Sequence, residues 1–259
     1  MIFDPQNAVM DRSSNPPPVV AENRINWSRL PALPVDPSWL ESQRIVSFQR
    51  RHKAALAFDI MRTKLLKDAR EHGWKTLGVT APTAGCGKAT VAANLAISLT
   101  KHEKLRVGLI DLDLRRPRIA SIFAQNGQIS TEDYLRGECR ASDFLVRIGD
   151  NLAIGASRDA VGHPAELLHG PEAAQTLTRL RDELNADMLI FNLPALLDGD
   201  DCLGMLPLVE TSLLAVGAEY STVSDIDIAE RELQAQTRLL GVVLNKCQYT
   251  SEQSANFQV

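Results

Sequence analysis

Thr80-Ala81-Pro82-Thr83-Ala84-Gly85-Cys86-Gly87-Lys88-Ala89-Thr90 follows an apolar, strand-like run beginning at Thr76. The stretch reads as a phosphate-binding loop. Gly85 and Gly87 let successive backbone N–H groups converge on an anion, and Lys88 adds a point charge for the β- and γ-phosphates. The loop opens an amphipathic helix, so the orphan N–H groups and dipole of that helix also favour phosphate. The position after the lysine belongs to a Ser or Thr whose hydroxyl ligates Mg²⁺. Here it is Ala89, while Thr90 can offer a hydroxyl to an α-phosphate oxygen. Cys86 reads as a small loop residue.

Outward from the loop, apolar strands alternate with helical patterns. Residues 76–81, 106–112, 151–156, 187–193, 211–216 and 240–244 read as strands; residues 54–70, 88–101, 171–184 and 225–236 carry helical spacing. Continuous apolar strands with intervening helices predict an α/β, doubly wound, mainly parallel sheet covered on both faces, the P-loop NTPase arrangement. Ligands in such sheets sit beyond the carboxyl ends of the strands, where this loop lies.

Composition narrows the classes. The 259 residues carry a net charge of −4, which is not a nucleic-acid footprint. No apolar run is long enough to cross a bilayer, and the first residues lack a basic region followed by an apolar one. The four cysteines, Cys86, Cys139, Cys202 and Cys247, have no metal-ligand spacing. The expectation is a cytoplasmic protein with no span of its own. Residues 1–42, rich in Pro, Asn, Ser and Asp, read as a disordered tail, with Trp27 and Trp39 as apolar exceptions that cover the domain's own surface. Residues 43–248 read as the folded domain and 249–259 as a short tail.

Two further segments carry chemistry. Val107-Gly-Leu-Ile-Asp111-Leu-Asp113-Leu-Arg115-Arg116-Pro117 puts two carboxylates just after a buried strand, beside the same cleft. One such Asp can hold a metal-bound water or take a hydroxyl proton, and the arginines can offset phosphate charge. Asp187-Met-Leu-Ile-Phe-Asn192-Leu-Pro194 is a second apolar strand, ending in a neutral amide where a carboxylate would serve Mg²⁺ better.

Together these segments resemble the bacterial tyrosine kinases (BY-kinases) of capsular and exopolysaccharide assembly, within the deviant P-loop ATPases. The likeness runs from about Ala57 to Lys246. It is most specific at Leu109-Ile-Asp-Leu-Asp-Leu-Arg-Arg-Pro117 and also covers Phe58–Leu65, Ala92–Leu99, His163–Leu168 and Leu240–Lys246. The resemblance implies ATP and ADP as ligands with Mg²⁺. Gly85, Cys86, Gly87, Lys88, Ala89 and Thr90 would form the loop, and Asn245 would approach the adenine. Asp111 would lie near Mg²⁺ and an attacking tyrosine, with Asp113 in support and Arg115 beside it. It also implies a polysaccharide co-polymerase-type membrane protein as partner, recruitment to the inner face of the membrane, and self-association.

The chain departs from that pattern in four places. Ala89 and Asn192 stand at Mg²⁺ positions. The Glu-x-x-Arg-x-x-Arg subunit-contact motif reads Leu56-x-x-Asp59-x-x-Arg62. The tyrosine cluster beyond Lys246 is reduced to Tyr249. The expectation is a nucleotide-binding, regulatory relative of the BY-kinases with weak or absent phosphoryl transfer. An active ATP-dependent tyrosine kinase, acting on Tyr249, Tyr220, Tyr134 or a partner, is the first alternative. A partition-type positioning ATPase is the second, although the early loop lysine of such proteins is missing from Pro82, Thr83 and Ala84.

Overall fold

The computed structural model describes residues 24–49, 52–127 and 129–247. Its strands are β1 (Thr76–Thr80), β2 (Val107–Asp111), β3 (Val146–Ile148), β4 (Leu152–Gly155), β5 (Met188–Asn192), β6 (Thr211–Gly217) and β7 (Arg238–Asn245). They form one sheet in the order β3-β4-β2-β5-β1-β6-β7. Every pairing is parallel except β3 with β4. The mainly parallel, doubly wound reading therefore holds. Every residue of β1, β2, β4, β5 and β6 is buried, as sequences without polar alternation require when both faces are covered.

The helices are α1 (Pro37–Ser42), α2 (Lys53–His72), α3 (Lys88–Thr100), α4 (Ile119–Ile122), α5 (Thr131–Leu135), α6 (Ala141–Phe144), α7 (Pro164–His169), α8 (Pro171–Leu184) and α9 (Val223–Gln236). Two cores result, one on each face of the sheet. The first joins Leu65 of α2, Leu95 and Leu99 of α3, and Val79, Leu109 and Ile190. The second joins Leu177 and Leu180 of α8, Ala229 and Leu233 of α9, and Ile110, Phe191 and Leu214. The helices' apolar stripes face these cores because burial of such side chains is worth about 1.5–3 kcal/mol each.

The expected tail boundary at residue 42 is corrected for residues 24–42. Trp27, Leu30 and Leu40 are each 4% exposed or less. Trp27 donates its indole N–H to the Leu184 carbonyl (2.9 Å), and Leu33 N–H and the Pro31 carbonyl bond to Arg147, extending the sheet edge. Asp36 caps α1, whose first residue is Pro37. Low hydrophobicity concealed a few large anchors. Trp39, though 42% exposed, donates to the Ile122 carbonyl (3.0 Å), so both tryptophans do serve the domain. Residues 1–23 and the proposed C-terminal tail lie outside the described residues.

A buried asparagine fixes the segment before α2. Asn94 of α3 accepts from the N–H groups of Val46 and Ser47 (2.8 and 3.0 Å) and donates to the carbonyls of Arg44 and Thr90. Asp59 and Arg62 of α2 also turn inward. Arg62 bonds Asp59 (2.7 Å) and the Ser98 carbonyl (2.9 Å), and Lys101 bonds Asp59 (2.9 Å). Together Asp59 and Arg62 clamp α2 to α3 within one molecule. Leu56 and Ile60, one turn apart, stay exposed.

Candidate nucleotide site

Residues 81–87 connect β1 to α3 at the carboxyl end of β1, an interior strand between β5 and β6. Gly85 and Gly87 have φ of +88° and +86°, the left-handed region where a Cβ is strained. A Cβ at Gly87 would also lie 2.3 Å from Asn245 Nδ2, so that side chain would have to shift. That amide donates to the Cys86 carbonyl (2.9 Å), so Asn245 at the end of β7 holds the loop from outside. Gly87 caps α3 without a side-chain hydrogen bond, leaving first-turn N–H groups free of a side-chain acceptor. Left-handed glycines, uncapped amides and a lysine at the helix start fit a phosphate group.

Lys88 is 8% exposed and its Nζ forms an ion pair with Asp113 Oδ2. Asp111 is 1% exposed, and both of its oxygens are engaged. Oδ1 accepts from Asn192 Nδ2 (2.7 Å) and Asp113 N–H (3.2 Å); Oδ2 accepts from the N–H groups of Arg118 (2.8 Å) and Ile119 (2.9 Å). Burial pushes the Asp111 carboxyl above the usual carboxylate range, against the pull of the bonds from Ile119, Asn192 and Arg118. Asn192 is fully buried, and its Oδ1 has no hydrogen-bond partner. Arg115 donates to Asp201 through Nε and through Nη2 (3.0 Å), which raises its already high pKa.

Hydrogen bonds and ion pairs thus link Asn245 to the loop, Lys88 to Asp113 and Asp113 to Asp111, while Arg115 is held by Asp201. Thr90 is half-buried at the first turn of α3, and its carbonyl, bonded by Asn94, ties that turn to the clamp described above. Ala89 carries no side-chain oxygen, Asn192 donates to Asp111, and both Asp111 oxygens accept hydrogen bonds. Among the described residues no group of three or more His, Cys, Asp or Glu side chains is arranged to hold a metal.

Sequence reasoning assigned no role to Asp198 or Asp201. Asp198 Oδ2 accepts from the Ala84 N–H (3.1 Å) and from Arg116 Nη1 (2.8 Å), while Asp201, 2% exposed, anchors Arg115. The one available signal was the acidic run Asp198-Gly199-Asp200-Asp201 just beyond a strand end. A broad cleft of about 1170 Å³ lined by Arg24, Arg29, Arg140 and Arg179 shares no residue with the loop. At the loop, by contrast, left-handed glycines and a buried charge pair coincide.

No helix among the described residues is long and apolar enough to cross a membrane. The family model described as ParA, NUBPL iron-transfer P-loop NTPase, matches residues 74–258. The tyrosine-protein kinase Etk of Escherichia coli K12 is 26% identical over 223 residues, 80% of this chain and 30% of Etk. The tyrosine-protein kinase YwqD of Bacillus subtilis 168 is 27% identical over 189 residues, 71% of this chain and 78% of YwqD. Among solved structures, the chimerical protein CapA2B2 superposes with a TM-score of 0.72 at 22% identity, over 85% of this chain and 96% of the other. The chain spans less than a third of the longer relatives it matches, 24% in one Ralstonia homologue and 30% in Etk. With its phosphate loop, parallel sheet and matched region in register, the chain belongs to the ParA family of P-loop NTPases, and its relatives there are bacterial tyrosine kinases.

Proposed function

We propose that this chain is a BY-kinase-type nucleotide-binding protein that regulates capsular or exopolysaccharide assembly through protein contacts, with weak or absent phosphoryl transfer. The observation that carries the reading is the state of Asp111. All four of its hydrogen bonds are internal, and one comes from the amide that replaces a second carboxylate. The loop meanwhile keeps its glycines and lysine, so binding and transfer are separated: backbone amides and Lys88 hold phosphate, and the residues for the metal that neutralises charge in transfer are depleted. Asn245, which bonds the loop at the Cys86 carbonyl, would approach the base.

Calorimetric titration with ATP and ADP, in Mg²⁺ and in EDTA, tests this. The wild type binds both nucleotides with little change between the two conditions. A double variant, Ala89→Thr with Asn192→Asp, gains a clear Mg²⁺ dependence. Mg²⁺-dependent tyrosine phosphorylation by the purified wild type, lost in Lys88→Ala, would overturn the reading.

An active kinase is the second reading, favoured by the retained Lys88, Asp111, Asp113 and Arg115. Its acceptor would not be Tyr134, which is 1% exposed and stacked on Phe144 at 4.4 Å; burial pushes its hydroxyl well above the usual tyrosine range. Tyr220, 59% exposed beside the loop, is the better acceptor on the chain, and Tyr249 lies outside the described residues. In either reading the chain works in the cytoplasm, and a polysaccharide co-polymerase-type membrane protein recruits it to the membrane. Co-purification with that partner, dependent on nucleotide, is the corresponding test.

A further inference from the structure

Three cations near the loop are matched by carboxylates of the same chain, Lys88 by Asp113, Arg115 by Asp201 and Arg116 by Asp198, while Lys246 lies over the Tyr220 ring. The three pairs differ in how open they are. Lys88 and Asp113 have side chains 10% and 8% exposed, and Asp201 is 3% exposed beneath Arg115. Asp198 and Arg116 are 28% and 61% exposed. Only the last pair faces solvent from both sides, where an ion pair contributes little and opens readily.

Asp198 differs in a second respect, because it also binds the loop. Its Oδ2 accepts from the Ala84 N–H, an amide of the phosphate-binding segment itself. Placement is set by backbone. Beyond β5, Leu193 N–H bonds the Val79 carbonyl, Leu196 N–H the Ala81 carbonyl and Leu197 N–H the Pro82 carbonyl, each at 2.9 Å. Residues 193–197 therefore run along the start of the loop and deliver Asp198 to its rim. α3 begins at Lys88, which is buried, after its N-cap Gly87; Ala84, three residues before Gly87, is only partly buried.

We infer that Asp198 sets the phosphate-length preference of the site: its carboxylate occupies the rim amide as an internal anion and disfavours a triphosphate relative to a diphosphate. The inference rests on the nucleotide reading above. A diphosphate is served by the amides at the start of α3 and by Lys88. A third phosphate brings further negative charge toward the rim, where it meets a carboxylate that already holds one N–H and one guanidinium. Repulsion and competition act in the same direction, and both fall on the longer chain.

The experiment is calorimetric titration of ATP and ADP against wild type, Asp198→Asn and Asp198→Asn/Arg116→Ala, all in EDTA at about 0.1 M salt, where surface charges remain only partly screened. The amide of Asp198→Asn keeps the hydrogen bond from Ala84 and removes the charge. ATP affinity rises roughly three- to tenfold in Asp198→Asn, and ADP affinity changes by about twofold or less. The double variant gives back much of the ATP gain, because Arg116 is then no longer free to meet the added phosphate. An equal gain for both nucleotides, no change, or weaker ATP binding in Asp198→Asn overturns the inference. Wild-type binding of both nucleotides with an unaltered ratio in the variant sinks this inference alone; absence of all nucleotide binding in every form sinks the nucleotide reading and this one with it.

Discussion

Lys88, the cation of the phosphate loop, is paired with Asp113, two residues beyond the end of β2, in a nearly buried contact. The pair joins the two most specific motifs of the chain and gives Lys88 a structural duty before any nucleotide arrives. Removing one member of a buried pair leaves the other charge unmatched, which costs about 3–5 kcal/mol, whereas removing both is far milder. Lys88→Ala is therefore expected to lose roughly that much stability in urea unfolding, and Lys88→Ala/Asp113→Ala to recover much of it. Unchanged stability in the single variant would show that the pair is not formed in solution. The same measurement decides whether Lys88→Ala is a clean activity control.

Asn192 is matched to Asp111 as donor to acceptor at 2.7 Å. Replacing the amide by a carboxylate sets two buried acidic groups against each other, so one must hold a proton or a cation. Asn192→Asp is expected to lose on the order of 2–3 kcal/mol at neutral pH in EDTA. The deficit shrinks as pH falls, because protonation turns one carboxyl back into a donor. Thermal melts across pH 5–8, with and without Mg²⁺, check both features. A flat pH response would mean that Asn192 does not face Asp111.

Asp59 is an acid shifted the other way from Asp111. Burial opposes its ionisation, but Lys101, Ser98 and Arg62 together outweigh that and hold its carboxyl below the ordinary range. A depressed acid contributes stability above its unfolded value, near 4, and loses it as pH falls through its folded value. Asp59→Asn should cost about 1–3 kcal/mol at pH 7, and the gap to wild type should narrow below about pH 4. Denaturation curves of the two proteins at pH 7, 5 and 3.5 provide the comparison. A gap that widens on acidification would contradict the α2–α3 clamp.

The cysteines separate by accessibility. Cys202 is fully buried against Thr80, and burial pushes its thiol up to about 12. Cys247, by contrast, is exposed. A disulfide-exchange reagent at pH 8 should label Cys247 quickly and leave Cys202 unmodified until the protein unfolds, since the thiolate is the reacting form. Mass spectrometry of peptides after a short pulse reads this directly. Early labelling of Cys202 would place the β5–β6 connection in an open state.

Legibility followed physical cause. β1, the loop and α3 were readable because a buried parallel strand is one unbroken apolar run and the loop needs glycine for its left-handed turns. β3 was not, since Val146-Arg147-Ile148 is a half-buried, three-residue edge strand with too little pattern to stand out. The short helices α4 to α7 span only four to six residues each, below the length at which helical periodicity is informative. At the site, Lys88, Asp111 and Asp113 were found by motif spacing. Asp198 and Asp201 were not, because their roles arise from a segment laid along the loop by long-range backbone bonds. Ala89 and Asn192 were visible as departures, but the use of Asn192 as a donor to Asp111 required the folded geometry.

Trp27 tests how far the N-terminal described segment belongs to the domain. Its ring is 4% exposed, its N–H reaches the Leu184 carbonyl, and Arg106 lies 5.4 Å from its centroid. Neighbouring bonds from Ile25 N–H to the Glu183 carbonyl and from Leu33 N–H to the Arg147 carbonyl pin the chain on either side. Truncating a buried indole removes its burial and leaves a cavity, at a cost of about 3–5 kcal/mol. Trp27→Ala should therefore lose that much stability, while Trp27→Phe, which keeps most of the ring but lacks the N–H donor, should lose about half as much or less. Equilibrium unfolding of the three proteins separates packing from hydrogen bonding. If both variants melt with the wild type, residues 24–42 rest on the domain without stabilising it, and the domain begins after residue 42.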